Sequence, residues 1–472
     1  MSYAKKDVKF SLKVMVNKER TKVLFAQVDS GFADVLLSFL TLPLGTIVRN
    51  MKKHYGDEAP AFGSLSSLYI SLVNLDSVQF WTEGAKSFLL HPRSSSDAQC
   101  KTLKLDISDS QPFEEFFCGK FHCNFQLSLY RFRSVSMYYD NVLCTYCHPR
   151  VLMKKRVAKE NAQAAPFFMM STASFLITDD LQILSTTTGL LQIASSLGIT
   201  DMDKAEQMSV TFGFAEVMDL LKASLISSTP LSDIILNKTG LTKSIKRELQ
   251  EGITLSDHTE NASASNSKKM ILRVMLRKST NKLLYAQAEE DFAELLFSFL
   301  IIPLGGVECL LAGKSLIKCM DKLYSSVAHH IDNKYFKTPD AKNSLIKPKI
   351  PHGYISKKHI LPLIEEELPS SYRQITLFSS LKFPKGHGNY LKAPTTFMVT
   401  DDLTVTPLCI ATTVPFLKGM KITVSDVKEV ELQIGLKEAL GILRASLTST
   451  SALTDGLNLT NHISQIQPKQ EH

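Results

Sequence analysis

Four cysteines fall as two close pairs, Cys118-x4-Cys123 and, twenty residues on, Cys144-x2-Cys147. Tetrahedral zinc is held this way, because each pair supplies two ligands from one tight turn. His122 and His148 adjoin the pairs as further ligand candidates. The competing reading is four unrelated reduced thiols. The first spacing is looser than Cys-x2-Cys, and the second half of the chain has no cysteine at the matching place. Nothing nearby supplies a general base, so a metal here would be structural and not catalytic. Cys144-Thr-Tyr-Cys147-His148 also fits the covalent haem pattern. That attachment belongs to specialised compartments, and the start MSYAKKDVKFSLKV carries no apolar leader.

Carboxylates come next. Thr-Asp-Asp-Leu occurs at Thr178–Leu181 and again at Thr400–Leu403. Adjacent carboxylates can bind a divalent cation or act as acid and base. The turn reading is stronger, because Asp side chains bond nearby amides and an apolar strand flanks each site. Glu216 and Glu438 also match, each early in a helix, where a carboxylate suits the dipole. Pro-Leu-Gly at 43–45 and 303–305 reads as helix punctuation with a glycine for close packing. The stretch Lys334–Lys358 holds seven lysines against Asp340, with Tyr335, Phe336 and Tyr354 interleaved. It is an RNA-binding candidate or, more simply, a solvated loop broken by prolines. There is no phosphate-binding glycine loop, no Gly-x-Ser-x-Gly elbow and no His-Glu-x-x-His.

The elements that must position these residues are written twice. Residues 12–45 lie over residues 272–305 with no gap and half the positions identical. FLITDDL at 175–181 returns as FMVTDDL at 397–403, and LKASL at 221–225 as LRASL at 443–447. Residues 68–93 still resemble 323–349, whereas 94–166 and 350–392 share little. Phe10, Leu12, Val14 and Val16 alternate with polar residues, Asn17–Thr21 is a polar turn, and Val23 and Phe25 resume the alternation: a hairpin with one buried face. Asp29 and Ser30 then precede an apolar helix. SFLITDDLQIL predicts two short strands, followed by helices near Leu190–Leu197 and Phe214–Ser227. The fold class is α+β: two homologous units, each with N- and C-terminal β-hairpins packed by helices. The first unit spans 1–250 and contains the cysteine segment, 251–269 is a flexible polar linker, and 270–472 is the second unit.

An apolar fraction of 44% with 21% charged residues allows a sizeable core. A net charge of +8 over so long a chain is short of a nucleic-acid footprint. Leu295–Gly313 is apolar enough to imitate a membrane span, but Pro303 and Glu308 interrupt it, and a buried helix pair split by proline explains both copies. Without a leader, the chain is expected inside the cell, cytoplasmic or nuclear and not secreted, with its thiols reduced.

LKVMVNKERTKVLFAQVDSGFADVLLSFLTLPLGTIVR, LLHPRSSSDAQCKTLKLDISDS and FLITDDL resemble a plant-specific family of domains of unknown function, the one numbered 674. The resemblance covers nearly the whole chain and implies a plant protein. It implies no activity and carries over no catalytic residue. In that family the middle segment ends in Cys-x-Cys-Gly, where this chain has Cys144-Thr-Tyr-Cys147-His148. The function expected is a non-enzymatic protein-binding or scaffold protein, with a possible structural zinc as its one cofactor. Divergent middles on a preserved frame suit partner recognition. The alternatives are an enzyme of unrecognised class with a site between the units, and weak RNA binding through 334–358.

Overall fold

The computed structural model describes residues 8–81, 83–109, 114–118, 135–136, 153–157, 167–185, 195, 205–236, 269–351, 354–356, 358–366 and 389–459. In the first copy, β1 (Phe10–Asn17) and β2 (Val23–Asp29) form the expected antiparallel hairpin. Phe10, Leu12, Val14 and Val16 turn inward and are buried, as the alternation requires. The Asn17 carboxamide closes the turn by accepting the amides of Thr21 and Lys22, both at 2.8 Å. Asp29 caps the helix Ser30–Ser38, taking the Phe32 amide at 2.8 Å.

Two further strands follow in the first sheet, β6 (Ser174–Thr178) and β7 (Ile183–Ser185), and then β8 (Ala205–Phe212). The order is β7-β6-β2-β1-β8, antiparallel throughout. The second copy repeats it with β9 (Met270–Arg277), β10 (Leu283–Ala288), β11 (Phe397–Val399), β12 (Val405–Pro407) and β13 (Val427–Ile434), in the order β12-β11-β10-β9-β13. The predicted opening and closing hairpins are both present. The long strands β8 and β13 were not foreseen, although VKEVELQI alternates charged and apolar residues in strand fashion. A smaller sheet, β4 (Val135–Ser136), β3 (Glu114–Cys118) and β5 (Met153–Val157) in that order, belongs to the middle of the first copy.

The two copies do not stand side by side. Each passes its middle to the other. The helix Leu65–Asn74 of the first copy carries Ser71, whose hydroxyl accepts the Val405 amide of β12 at 3.0 Å. Reciprocally, Ser326, just past the helix Lys318–Ser325, accepts the Ile183 amide of β7 at 2.9 Å. Phe80 pairs with Leu391, flanked by Trp81 N–H to Tyr390 O (3.1 Å) and Lys392 N–H to Gln79 O (2.8 Å). Met169 pairs with Phe336 in the same fashion, with Met170 N–H to Tyr335 O (2.8 Å) and Lys337 N–H to Phe168 O (3.0 Å).

The seam between the copies is the repeated Pro-Leu-Gly. Pro43 and Pro303 form an antiparallel bridge. Leu44 donates to Ile302 O at 3.0 Å, Gly45 to Leu300 O at 2.8 Å and Leu304 to Leu42 O at 2.9 Å. A Cβ on Gly305 would lie 2.2 Å from Leu345 O of its own copy and 3.1 Å from Leu40 O across the seam, so glycine is required here. Leu40, Leu42, Leu300 and Ile302 are buried here in one hydrophobic core shared by both copies. The membrane-like segment is the predicted split pair, Glu290–Phe299 and Leu304–Leu310. Among the described residues no helix is long and apolar enough to cross a membrane.

Candidate functional site

The Thr-Asp-Asp-Leu carboxylates are used as turn and anchor in both copies. Thr178 donates its hydroxyl to Asp180, and Thr400 donates to Asp402. Leu181 and Leu403 take positive φ, 65° and 62°. The first aspartate of each pair reaches forward to a short closing helix. Asp179 accepts the Ser232 amide (2.8 Å) and hydroxyl (2.6 Å); Asp401 accepts the Thr454 amide (2.8 Å) and hydroxyl (2.9 Å). Burial raises both carboxyls above the ordinary aspartate range, against these donors. Glu216 and Glu438 cap their helices by accepting the Gly213 and Gly435 amides at 2.9 Å.

A second carboxylate pair, not singled out from the sequence, lies deeper. Asp34 is fully buried and accepts the backbone amides of Phe167, Phe168 (3.2 Å) and Met169 (2.9 Å). Its counterpart Glu294 accepts the Leu391 amide at 2.7 Å. Burial pushes each carboxyl up to about 7, although the amides favour ionisation. The matched positions 34 and 294 were visible in the alignment of the copies. Their role was not, because the amides they hold lie far along the chain.

The copies also differ in ways that open space. Gly441 and Gly456 touch so closely that a Cβ on Gly441 would meet Gly456 O at 2.3 Å. The matching residues of the first copy are Asp219 and Ile234, and a cavity of about 230 Å³ opens there, lined by Phe212, Glu216, Asp219, Asp233 and Ile234 among others. Its carboxylates are engaged. Asp219 takes the Tyr55 hydroxyl at 2.7 Å and Asp233 takes the Ser227 hydroxyl. The Lys222 ammonium sits 4.4 Å above the Tyr55 ring. The second copy has its own departure. Glu308 and Asp321 replace Val48 and Ser66, and burial, then the Asp321 charge, holds the Glu308 carboxyl well above its ordinary range. The Ser315 hydroxyl donates to Asp321 at 2.8 Å, and the Glu308 carboxyl lies beside both groups. Glu308 is sealed from solvent and Asp321 only half-buried, so the pair can share a proton through Glu308.

Of the zinc candidates, Cys118 ends β3, with its backbone opposite Met153. Cys123, Cys144 and Cys147 lie outside the described residues, as do the helix expected near Leu190–Leu197 and the linker segment 251–268. Among the described residues no group of three or more His, Cys, Asp or Glu side chains is placed to hold a metal ion. In the lysine stretch, Phe336 and Tyr354 are buried in the core, so these rings are not exposed platforms for bases. Cys409 is exposed at the start of the helix Ile410–Gly419, where the Thr412 hydroxyl and amide hold its thiol below the ordinary range. Cys100 and Cys319 are buried.

The fold and these sites define a tandem-repeat α+β protein whose repeated carboxylates are structural. A family profile described as "Protein of unknown function (DUF674)" matches residues 6–435 and 384–471, and the chain belongs to that family. No curated protein and no solved structure matches it.

Proposed function

We propose that the chain is a non-enzymatic, protein-binding scaffold whose recognition element is the small sheet β4-β3-β5. One observation carries this reading. The frame is built twice with the same strand order, but this sheet occurs in the middle of the first copy, where the described residues of the second form helix, turns and isolated bridges. Among the described residues β4 and β5 each pair with β3 alone, which leaves an edge on either side. A free edge is a template for an extended peptide from a partner.

A sheet of this size is marginal by itself and needs a staple. In the same reading Cys118, Cys123, Cys144 and Cys147 hold a structural zinc. The spacing of the pairs supports it, as does the register that sets Cys118 opposite Met153, a few residues beyond Cys147. The seam at Pro43 and Pro303 is filled by buried leucines and backbone hydrogen bonds, so it does not favour an active site there.

The test replaces residues 110–166 with a short Gly/Ser linker and compares partner capture with that of the intact chain. A cooperative melt retained by the variant, together with loss of the captured partner, supports the assignment. Equal capture by both chains refutes it.

A further inference from the structure

The outer face of the second sheet carries a helix that is apolar on both sides. Inward, Phe416 and Leu417 of the helix Ile410–Gly419 pack on Met275, Leu284, Tyr285 and Met398, with the Phe416 and Tyr285 rings edge to face at 6.1 Å. Outward, Ile410 is 83% and Val414 42% exposed on the helix, and Met420 (39%) and Val424 (82%) are exposed just past its end. Aliphatic side chains exposed together on the side of a helix turned away from its sheet mark an interaction surface. Charge indicates what covers it. Leu408–Ser425 contains Lys418 and Lys421 and no Asp or Glu. Neither lysine has an ion pair among the described residues. The carboxylates of the adjoining strand, Glu429 and Glu431, lie 3.8 and 3.9 Å from the Arg273 guanidinium.

We propose that Ile410–Val424 is a docking surface for an anionic lipid bilayer. Protein interfaces favour aromatic residues and arginine and are poor in lysine. Here the one aromatic ring, Phe416, faces inward, while bare aliphatic side chains project beside lysines. Such a surface suits a headgroup layer, with the aliphatic side chains among the acyl chains and the two ammonium groups at the phosphates. The surface is separate from the sheet assigned to partner binding, and either assignment can fail alone.

The test is co-sedimentation of the full chain with vesicles of phosphatidylcholine containing about 30% phosphatidylserine, against phosphatidylcholine alone. Binding is expected only with the anionic vesicles, falling as salt rises. Lys418→Gln with Lys421→Gln is expected to weaken it roughly fivefold per lysine. Ile410→Asp with Val424→Asp is expected to abolish it with the melt unchanged, since both side chains are exposed. Three outcomes overturn the proposal: no lipid-dependent sedimentation, equal binding by wild type and the aspartate variant, or a dimer in light scattering that this variant converts to monomer.

Discussion

Asp34 and Glu294 occupy equivalent points of the two copies, and each fastens the segment that the other copy's middle pairs with. Asp34 holds the amides of 167–169, where Met169 meets Phe336; Glu294 holds the amide of Leu391, which meets Phe80. The carboxylates are latches for the exchange. Asp34→Ala would strand three amides, those of Phe168 and Met169 buried and that of Phe167 half-buried, at about 1–3 kcal/mol for each buried donor left unsatisfied. A loss of roughly 3 kcal/mol or more in urea unfolding is expected, with Asp34→Asn milder because one acceptor oxygen remains. A loss near zero for Asp34→Ala would contradict the latch.

The same pair sets a pH dependence. Both folded carboxyls titrate at about 7, above their ordinary values of 3.8 and 4.5. The folded chain therefore binds these protons more tightly than the unfolded chain. Their contribution is complete below about pH 4, declines as pH rises to about 7, and is flat above. The urea midpoint should fall between pH 5 and pH 8, and the double variant Asp34→Asn, Glu294→Gln should flatten that slope. An unchanged slope in the variant would assign the dependence to other groups.

Because each copy lends its middle to the other, neither half has its whole core. Residues 1–250 and 269–472 expressed separately should each lack a cooperative melt, and co-expression should restore one. Two halves that fold independently would show the exchange to be dispensable.

Gly63 lies on the contact between copies, with φ +47° and a notional Cβ 2.2 Å from Ser446 O and 2.6 Å from the Leu447 carbonyl carbon. Both the left-handed backbone and the backbone opposite resist a side chain. Gly63→Ala should cost about 2–4 kcal/mol, combining overpacking with conformational strain. Gly56→Ala, also at positive φ but in open space, should cost about 1–3 kcal/mol from backbone strain alone. Equal losses in thermal melts would remove the steric share.

If the four cysteines hold zinc, purified protein should carry about one metal equivalent per chain, released by thiol modification. Cys144→Ser with Cys147→Ser should abolish it and leave the melt of the main frame in place. Metal-free protein with the small sheet intact would leave the thiols without a ligand.

Much was legible because it is local. The hairpins follow from period-two alternation in residues 10–25 and 270–288, the helix starts from Asp29, Glu216 and Glu438, and the turns from Thr-Asp-Asp-Leu. Duplication then required the same sheet twice. The fifth strand of each sheet was not legible, because its two copies, AEQMSVTF and VKEVELQI, share little sequence although both alternate. The exchange could not be read at all. Ser71 and Ser326 are matched residues on matched helices, and each closing hairpin offers the same backbone amide to either. Two nearly identical surfaces are chemically equivalent partners, so sequence determines that a helix will cover a sheet but not which one. Only the tertiary structure decided it, through the close backbone approach at Pro43 and Pro303 that sets each middle against the opposite copy.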